Sequence, residues 1–214
     1  VPTSTYRTQS RGGKGVMGMT TKDEDFVKHL ITACSHNYML FFTNKGRMHW
    51  IKSYDIPEGA RTGKGKNIVN LLEFEPGESV RAMISVDDLD VDDRYIIMAT
   101  RSGVVKKTEL KAFRHLRKKP IKAIVLDEED DVIEAKLTDG TNQILLSTAG
   151  GIACRFKETD ARSLGRVSRG VRGIRLGEGD QVVSMIVVTP EMDILVVTNQ
   201  GMGKRSAVEN YRLT

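Results

Sequence analysis

Short apolar runs, each broken by a polar tetrad that ends in glycine, recur along the chain. They read LFFTNKGRMHWIK (40–52), IMATRSGVVKK (97–107), LLSTAGGIACRFK (145–157) and VVTNQGMGKR (196–205). Thr43, Thr100, Thr148 and Thr198 align, and so do Gly46, Gly103, Gly151 and Gly201, at glycine intervals of 57, 48 and 50 residues. Runs rich in Val, Ile, Leu, Phe and Thr fit strands. The Thr-x-x-Gly tetrads fit tight hairpin turns with one residue at positive φ.

A second, independent marker shares the period. Val16, Ile68, Ile121 and Ile174 are spaced by 52, 53 and 53 residues, each after a basic stretch: RGGKGV, GKGKNI, KKPI and RGVRGI. The segments that follow the last three, NLLEFEPGESVRAMISV, AIVLDEEDDVIEAKL and RLGEGDQVVSMIVV, each read as strand, acidic or glycine-containing turn, strand. The predicted unit is therefore two hairpins, four strands in about 52 residues. Helix signals are thin: DEDFVKHL (23–30) has room for two turns, and ETDARSL after residue 157 for a 3-10 turn. The chain reads as all-β, with radially stacked four-stranded blades as in a propeller. A β-sandwich would hold as many strands but would not require loops locked in phase. Val1–Tyr6 occupies the phase of Ser206–Tyr211, with Tyr6 and Tyr211 205 residues apart. The expectation is either a fragment of a longer ring or a last unit that closes on the first.

Composition narrows the function classes. The 214 residues are 39% hydrophobic and 29% charged, enough for a buried core. No run is long enough to span a bilayer, and the start has no signal-peptide core. Cys34 and Cys154 lie in strand-like stretches and form no disulfide framework, which points to a reducing compartment. The four histidines have no zinc-site spacing. Asp87–Asp93 and Asp127–Asp131 lack the ligand order of a calcium loop and read as solvated turns, so no metal is expected. Neither a nucleophile elbow nor a phosphate-binding nucleotide loop is present, and Cys34 near His36 reads as strand rather than a nucleophile pair. Trp50, Phe74, Phe113 and Phe156 read as packing residues.

Net charge is only +5, but its placement follows the repeat. Arg101–Lys122 holds nine Lys/Arg and one acid, and Arg155–Arg175 seven against two. Asp127–Glu134 between them holds six acids and no base, and Glu73–Asp93 eight acids against Arg81 alone. Units related by one rotation should bring the basic loops to a shared edge with the acidic turns elsewhere, a belt suited to a bent polyanion. SRGGKG (10–15) combines Arg11 and Lys14 with Gly12, Gly13 and Gly15, so phosphate oxygens can approach both the main chain and the cations. Similar chemistry recurs in ARTGKGK (60–66), FRHLRKKPIK (113–122) and RVSRGVRGIR (166–175).

QSRGGKG (9–15) closely resembles the seven-residue box, usually Q-R-R-G-G-K-G, of the C-terminal domain of the DNA gyrase A subunit. The resemblance continues through ARTGKGKNIVNLL (60–72), ATRSGVVKKTEL (99–110), SRGVRGIRLGEGD (168–180) and VVTNQGMGKRSAVENY (196–211), essentially the whole chain. It implies a β-pinwheel, a propeller variant in which neighbouring blades exchange strands. The family's domain has six blades; residues 1–214 hold about four blade-lengths, so a single pinwheel domain or a fragment of one is expected. Ser10 stands where the box usually has its first arginine.

The implied function is to bind, bend and wrap duplex DNA, presenting a segment for strand passage in ATP-dependent negative supercoiling. The candidate DNA contacts are Gln9, Arg11, Gly12, Gly13, Lys14 and Gly15 in the box. Beyond it they are Lys64, Lys66, Lys106, Lys107, Arg117, Lys118, Lys119, Arg169, Arg172, Lys204 and Arg205. No catalytic residue is expected in this domain, and no cofactor; the resemblance places ATP and Mg²⁺ use elsewhere in the holoenzyme. Implied partners are duplex DNA, the rest of the gyrase A subunit, and the gyrase B subunit in an A2B2 assembly. The isolated domain is expected to be monomeric, cytoplasmic and nucleoid-associated, with no membrane partner. The alternatives are the related topoisomerase IV A-subunit domain, which guides DNA without strong wrapping and whose box is generally degraded, and a protein-binding propeller.

Overall fold

The computed structural model describes residues 1–21 and 26–214. Among them thirteen strands form: β1 (Tyr38–Thr43), β2 (Arg47–Lys52), β3 (Val80–Val86), β4 (Tyr95–Thr100), β5 (Val104–Glu109), β6 (Ile121–Lys122), β7 (Val132–Thr138), β8 (Gln143–Thr148), β9 (Ala153–Lys157), β10 (Val171–Arg172), β11 (Val182–Val188), β12 (Asp193–Val197) and β13 (Gly203–Ala207). The four Thr-x-x-Gly tetrads close the hairpins β1–β2, β4–β5, β8–β9 and β12–β13. At the first, the Gly46 N–H donates to Thr43 O at 3.0 Å and Gly46 has φ +69°, a conformation for which glycine carries no Cβ penalty.

The sheets run β3-β1-β2-β6, β10-β5-β4-β7, β11-β8-β9 and β12-β13. The fold is all-β and bladed, but the predicted second hairpin of each unit does not form. The segment before the acidic turn shrinks to two residues, β6 or β10, and pairs with the outer strand of the preceding blade. The reason lies in edge satisfaction: an outer strand left bare would expose a row of backbone groups. Ala123 and Ile124 both donate to Gly46 O, at 2.8 and 3.2 Å, and Gly173 and Ile174 do the same to Gly103 O, at 2.8 and 3.4 Å. This exchange also corrects the second marker. Ile174 is equivalent to Ile124, fifty residues before it, and not to Ile121, whose counterpart is Val171.

Each acidic turn docks on a hairpin turn. Thr43 Oγ1 donates to Glu78 at 2.7 Å, Ser102 Oγ to Asp130 at 2.6 Å, and the Gly150 N–H to Asp180 at 2.9 Å. Part of the acidity that reads as solvated surface is thus a structural clamp, with the Glu78 side chain fully buried.

Both faces of β1, β4 and β8 are covered, whereas Leu195, Val196 and Val197 of β12 are exposed. On β4, Ile96 and Met98 pack with Leu40, Phe42 and Phe113, whereas Ile97 and Ala99 pack with Ile144, Leu146 and Val182 of the next blade. That is why these three runs are continuously apolar instead of alternating: successive side chains point to opposite faces, and each face meets further apolar side chains. Phe113 and Phe156 are buried, Trp50 packs on the first core cluster, and Phe74 meets His49 edge-on at 4.9 Å.

The expected phase of the termini holds. A 3-10 turn at Thr3–Thr5 is closed by the Tyr6 N–H on Thr3 O at 3.0 Å, and one at Val208–Asn210 by the Tyr211 N–H on Val208 O at 2.9 Å. Glu158–Asp160 forms the expected 3-10 turn. Residues 26–30 carry no helix, and residues 23–25 of that expected segment lie outside the described residues. Cys34 sits in an exposed turn and not in a strand, since β1 starts only at Tyr38; Cys154 is in β9.

Candidate nucleic-acid interface

The basic loops are laid along the outer strands of preceding blades. The Trp50 indole N–H donates to Arg117 O at 2.8 Å, then Ile121 and Lys122 pair with Met48 and Arg47, bringing residues 117–124 along β2. The next loop repeats this on β5. Ser163 bridges Lys107, Leu164 N–H donates to Lys107 O at 2.8 Å, and Val171 and Arg172 pair with Val105 and Val104. Arg155 and Leu213 begin the same arrangement on β9. The two full loops also join each other, the Val125 N–H donating to Ser168 O at 2.9 Å.

The first two basic loops form a second pair. Across Ser10–Gly13 the Gly13 N–H donates to Ser10 O at 2.9 Å, with Gly12 at φ +84°. A Cβ on Gly13 would lie 3.0 Å from Ser10 O and 2.9 Å from Gln9 Oε1, so this turn closes around glycine. Fifty residues later the Gly63 N–H donates to Ala60 O at 2.9 Å. The two loops touch where Thr20 Oγ1 donates to Thr62 O at 2.8 Å and the Arg61 guanidinium to Met17 O.

Most of the candidate cations are solvent-facing: Arg11, Lys14, Lys64, Lys66, Arg117, Lys118, Lys119, Arg169, Arg172, Lys204 and Arg205 are exposed, as are Gln9, Gly12 and Gly15. Arg169 reaches an acidic turn, 2.7 Å from Asp127, and Arg205 lies 3.5 Å from Asp193. The acidic turns are therefore not wholly separate from the basic loops.

Two candidates have to be withdrawn. Lys106 is 0% exposed and Lys107 7%. The Lys107 ammonium donates to Glu158 O at 3.1 Å and lies 5.0 Å from the centre of the Tyr95 ring. The Lys106 ammonium donates to Ala123 O at 2.6 Å and to Arg166 O, and burial, with Arg166 nearby, pushes its pKa down to about 8. Neither ammonium is open to a phosphate.

In three of the four hairpins the residue four beyond the glycine thus has another use, while Arg205 in the fourth is exposed. Four residues beyond the glycine stand Trp50, Lys107 and Arg155, and each donates to a carbonyl farther along the chain: Arg117 O at 2.8 Å, Glu158 O at 3.1 Å and Val208 O at 2.7 Å. Conversely, sequence reasoning missed Lys122, an exposed cation in the register position of Arg172. Aligning Ile124 with Ile174 would have revealed it.

Known proteins share this repeat. The family model described as "DNA gyrase C-terminal domain, beta-propeller" matches residues 1–34, 37–87, 94–139, 142–189 and 193–214, repeat by repeat. The chain belongs to the DNA gyrase C-terminal domain family. Among curated members, the DNA gyrase A subunit of Staphylococcus epidermidis is 45% identical over the whole chain and that of Staphylococcus aureus 44%. The chain spans 24% of the length of these relatives. Of solved structures, the C-terminal domain of DNA topoisomerase IV superposes with TM-score 0.78 at 32% identity, over 84% of this chain and 56% of that one. A DNA gyrase A C-terminal domain covers 99% of this chain and 68% of its own with TM-score 0.72 at 24% identity, a likeness of fold. Within this gyrase C-terminal family member, the matched segments 37–87, 94–139, 142–189 and 193–214 each begin at the start of a hairpin or one residue before it, so the repeat seen in the sequence is also the family's unit.

Proposed function

We propose that the chain binds duplex DNA along its basic loops and bends it, and that within a gyrase A subunit it wraps DNA so that a neighbouring segment is presented for strand passage. ATP hydrolysis for negative supercoiling would belong to a partner subunit. The observation that carries this reading is the repeated placement of cationic loops on equivalent edges. Lys122 and Arg172 occupy one register position in successive blades, and the exposed Arg117–Lys119 and Arg169 flank them. Phosphate contacts hold a duplex without reading its sequence. Bending a 20–30 base-pair site costs about 1–6 kcal/mol, which several such contacts can supply. The box contributes Arg11 and Lys14 beside a turn whose glycines leave the main chain open.

The test is duplex binding over a salt series, paired with a bending assay on the same complexes. Affinity should fall steeply with salt. Replacing Arg11 and Lys14 together with alanine should abolish bending and leave thermal unfolding unchanged. A folded double variant that bends DNA like the parent refutes the assignment of those residues. A second reading, DNA guidance without strong wrapping, is favoured by the superposition on a topoisomerase IV domain. DNA topology measured on the assembled enzyme separates the two, since a positive wrap supports only the first.

A further inference from the structure

Three residues past the hairpin glycine, the strands β2, β5 and β9 carry His49, Lys106 and Cys154. His49 Nε2 lies 3.2 Å from Glu78, and Cys154 Sγ lies 3.7 Å from Gly173 O. Cys154 Sγ also lies 3.6 Å from Thr214 Oγ1, so it too touches two segments, but only through weak sulfur contacts. Lys106 differs from both in bringing a charged donor to two loops. Ala123 O belongs to the basic loop that carries Arg117–Lys119 and Lys122, and Arg166 O to the one that carries Arg169 and Arg172. The Val125–Ser168 hydrogen bond is a second tie between the same loops.

We propose that Lys106 is a positioning residue, its buried ammonium tying two successive basic loops together from beneath so that their outward cations hold one relative register. This rests on the DNA-binding reading above. A buried charge without a carboxylate is costly, and none of the ion pairs among the described residues includes Lys106. The burial that holds its pKa near 8 is the same cost seen another way. An apolar side chain would avoid it but would leave the two carbonyls without this donor. Charge-assisted bonds are the stronger kind, and here they hold two segments that the strand ladder reaches only at Ile121–Lys122 and Val171–Arg172.

The experiment is Lys106→Met in the full chain, read first without DNA by amide hydrogen exchange. Exchange at Val125 and Gly173 should accelerate tenfold or more beyond any change at β1 and β2. Equal acceleration everywhere, or none, overturns the proposal. Duplex affinity at fixed salt should then fall at least fivefold; loosened loops with unchanged affinity also overturn it. If the unsubstituted chain fails to bind duplex, the DNA-binding reading falls instead, whatever exchange shows. Should Lys106→Met not fold, the parent chain decides: the Lys106 ammonium protons should be detectable by NMR as slowly exchanging below pH 8, and rapid exchange like that of an open lysine refutes the tie.

Discussion

Replacing Glu78 with glutamine tests the acidic-turn clamp directly. The carboxylate accepts from Thr43 Oγ1 at 2.7 Å, Arg47 Nε at 2.9 Å and the Glu75 N–H at 2.9 Å, with His49 Nε2 at 3.2 Å. Burial alone would raise its pKa. The bonds from Arg47, Thr43, Glu75 and His49 outweigh burial and hold it at about 2 instead of 4.5. That difference corresponds to about 3 kcal/mol of stability at neutral pH. Because the folded value lies below the unfolded one, the contribution is complete above pH 4.5 and is lost as pH falls towards 2. Urea midpoints followed by circular dichroism between pH 7 and pH 2 should therefore show Glu78→Gln less stable at pH 7, with the gap closing on acidification. A gap that stays constant over this range, or is absent at pH 7, refutes the clamp. Burial holds the His49 pKa below its ordinary value despite Glu78, so at pH 7 the imidazole is neutral and the contact is a hydrogen bond.

Two further outcomes separate structural cations from ligand-binding ones. Lys107→Met should lower stability by about 1–2 kcal/mol, since Glu158 O loses its ammonium donor, and should leave duplex affinity within twofold; chemical denaturation and binding at one salt concentration check both. Lys122→Ala and Arg172→Ala should each weaken duplex binding and each reduce the salt slope by about 1, because the two residues hold one register position. Unequal slopes would break that equivalence.

The blade repeat, its hairpins and their glycines were legible because tight turns impose residue types at fixed offsets. Thr43 to Gly46 shows the whole rule: a side chain that bonds an acid, and a glycine at positive φ. Strand exchange was not readable from the residues themselves. Nothing local in KKPIK says that Ile121 and Lys122 pair with a strand some seventy residues earlier, because that pairing is decided by which edge stands open. The same gap led Lys106 and Lys107 to be counted with the loop cations. A lysine stem is apolar enough to be buried when its tip finds carbonyls, and no sequence pattern marks where carbonyls of another blade will stand.

The repeat therefore sorts its cations by position. Of those on outer strands, Lys106, Lys107 and Arg155 give N–H groups to carbonyls of loops and turns farther along the chain, so the loops rest on fixed supports. Those on the loops mostly face solvent. Arg169 shows why an acidic neighbour need not disqualify such a residue. Its pair with Asp127 leaves the two side chains 71% and 62% exposed, and exposed pairs of this kind are worth about 0.2–1 kcal/mol. A phosphate can take the arginine at small cost, whereas pulling Lys106 from its two carbonyls would disturb both loops. In this arrangement rigidity is supplied from below, and the outward cations remain free to exchange partners.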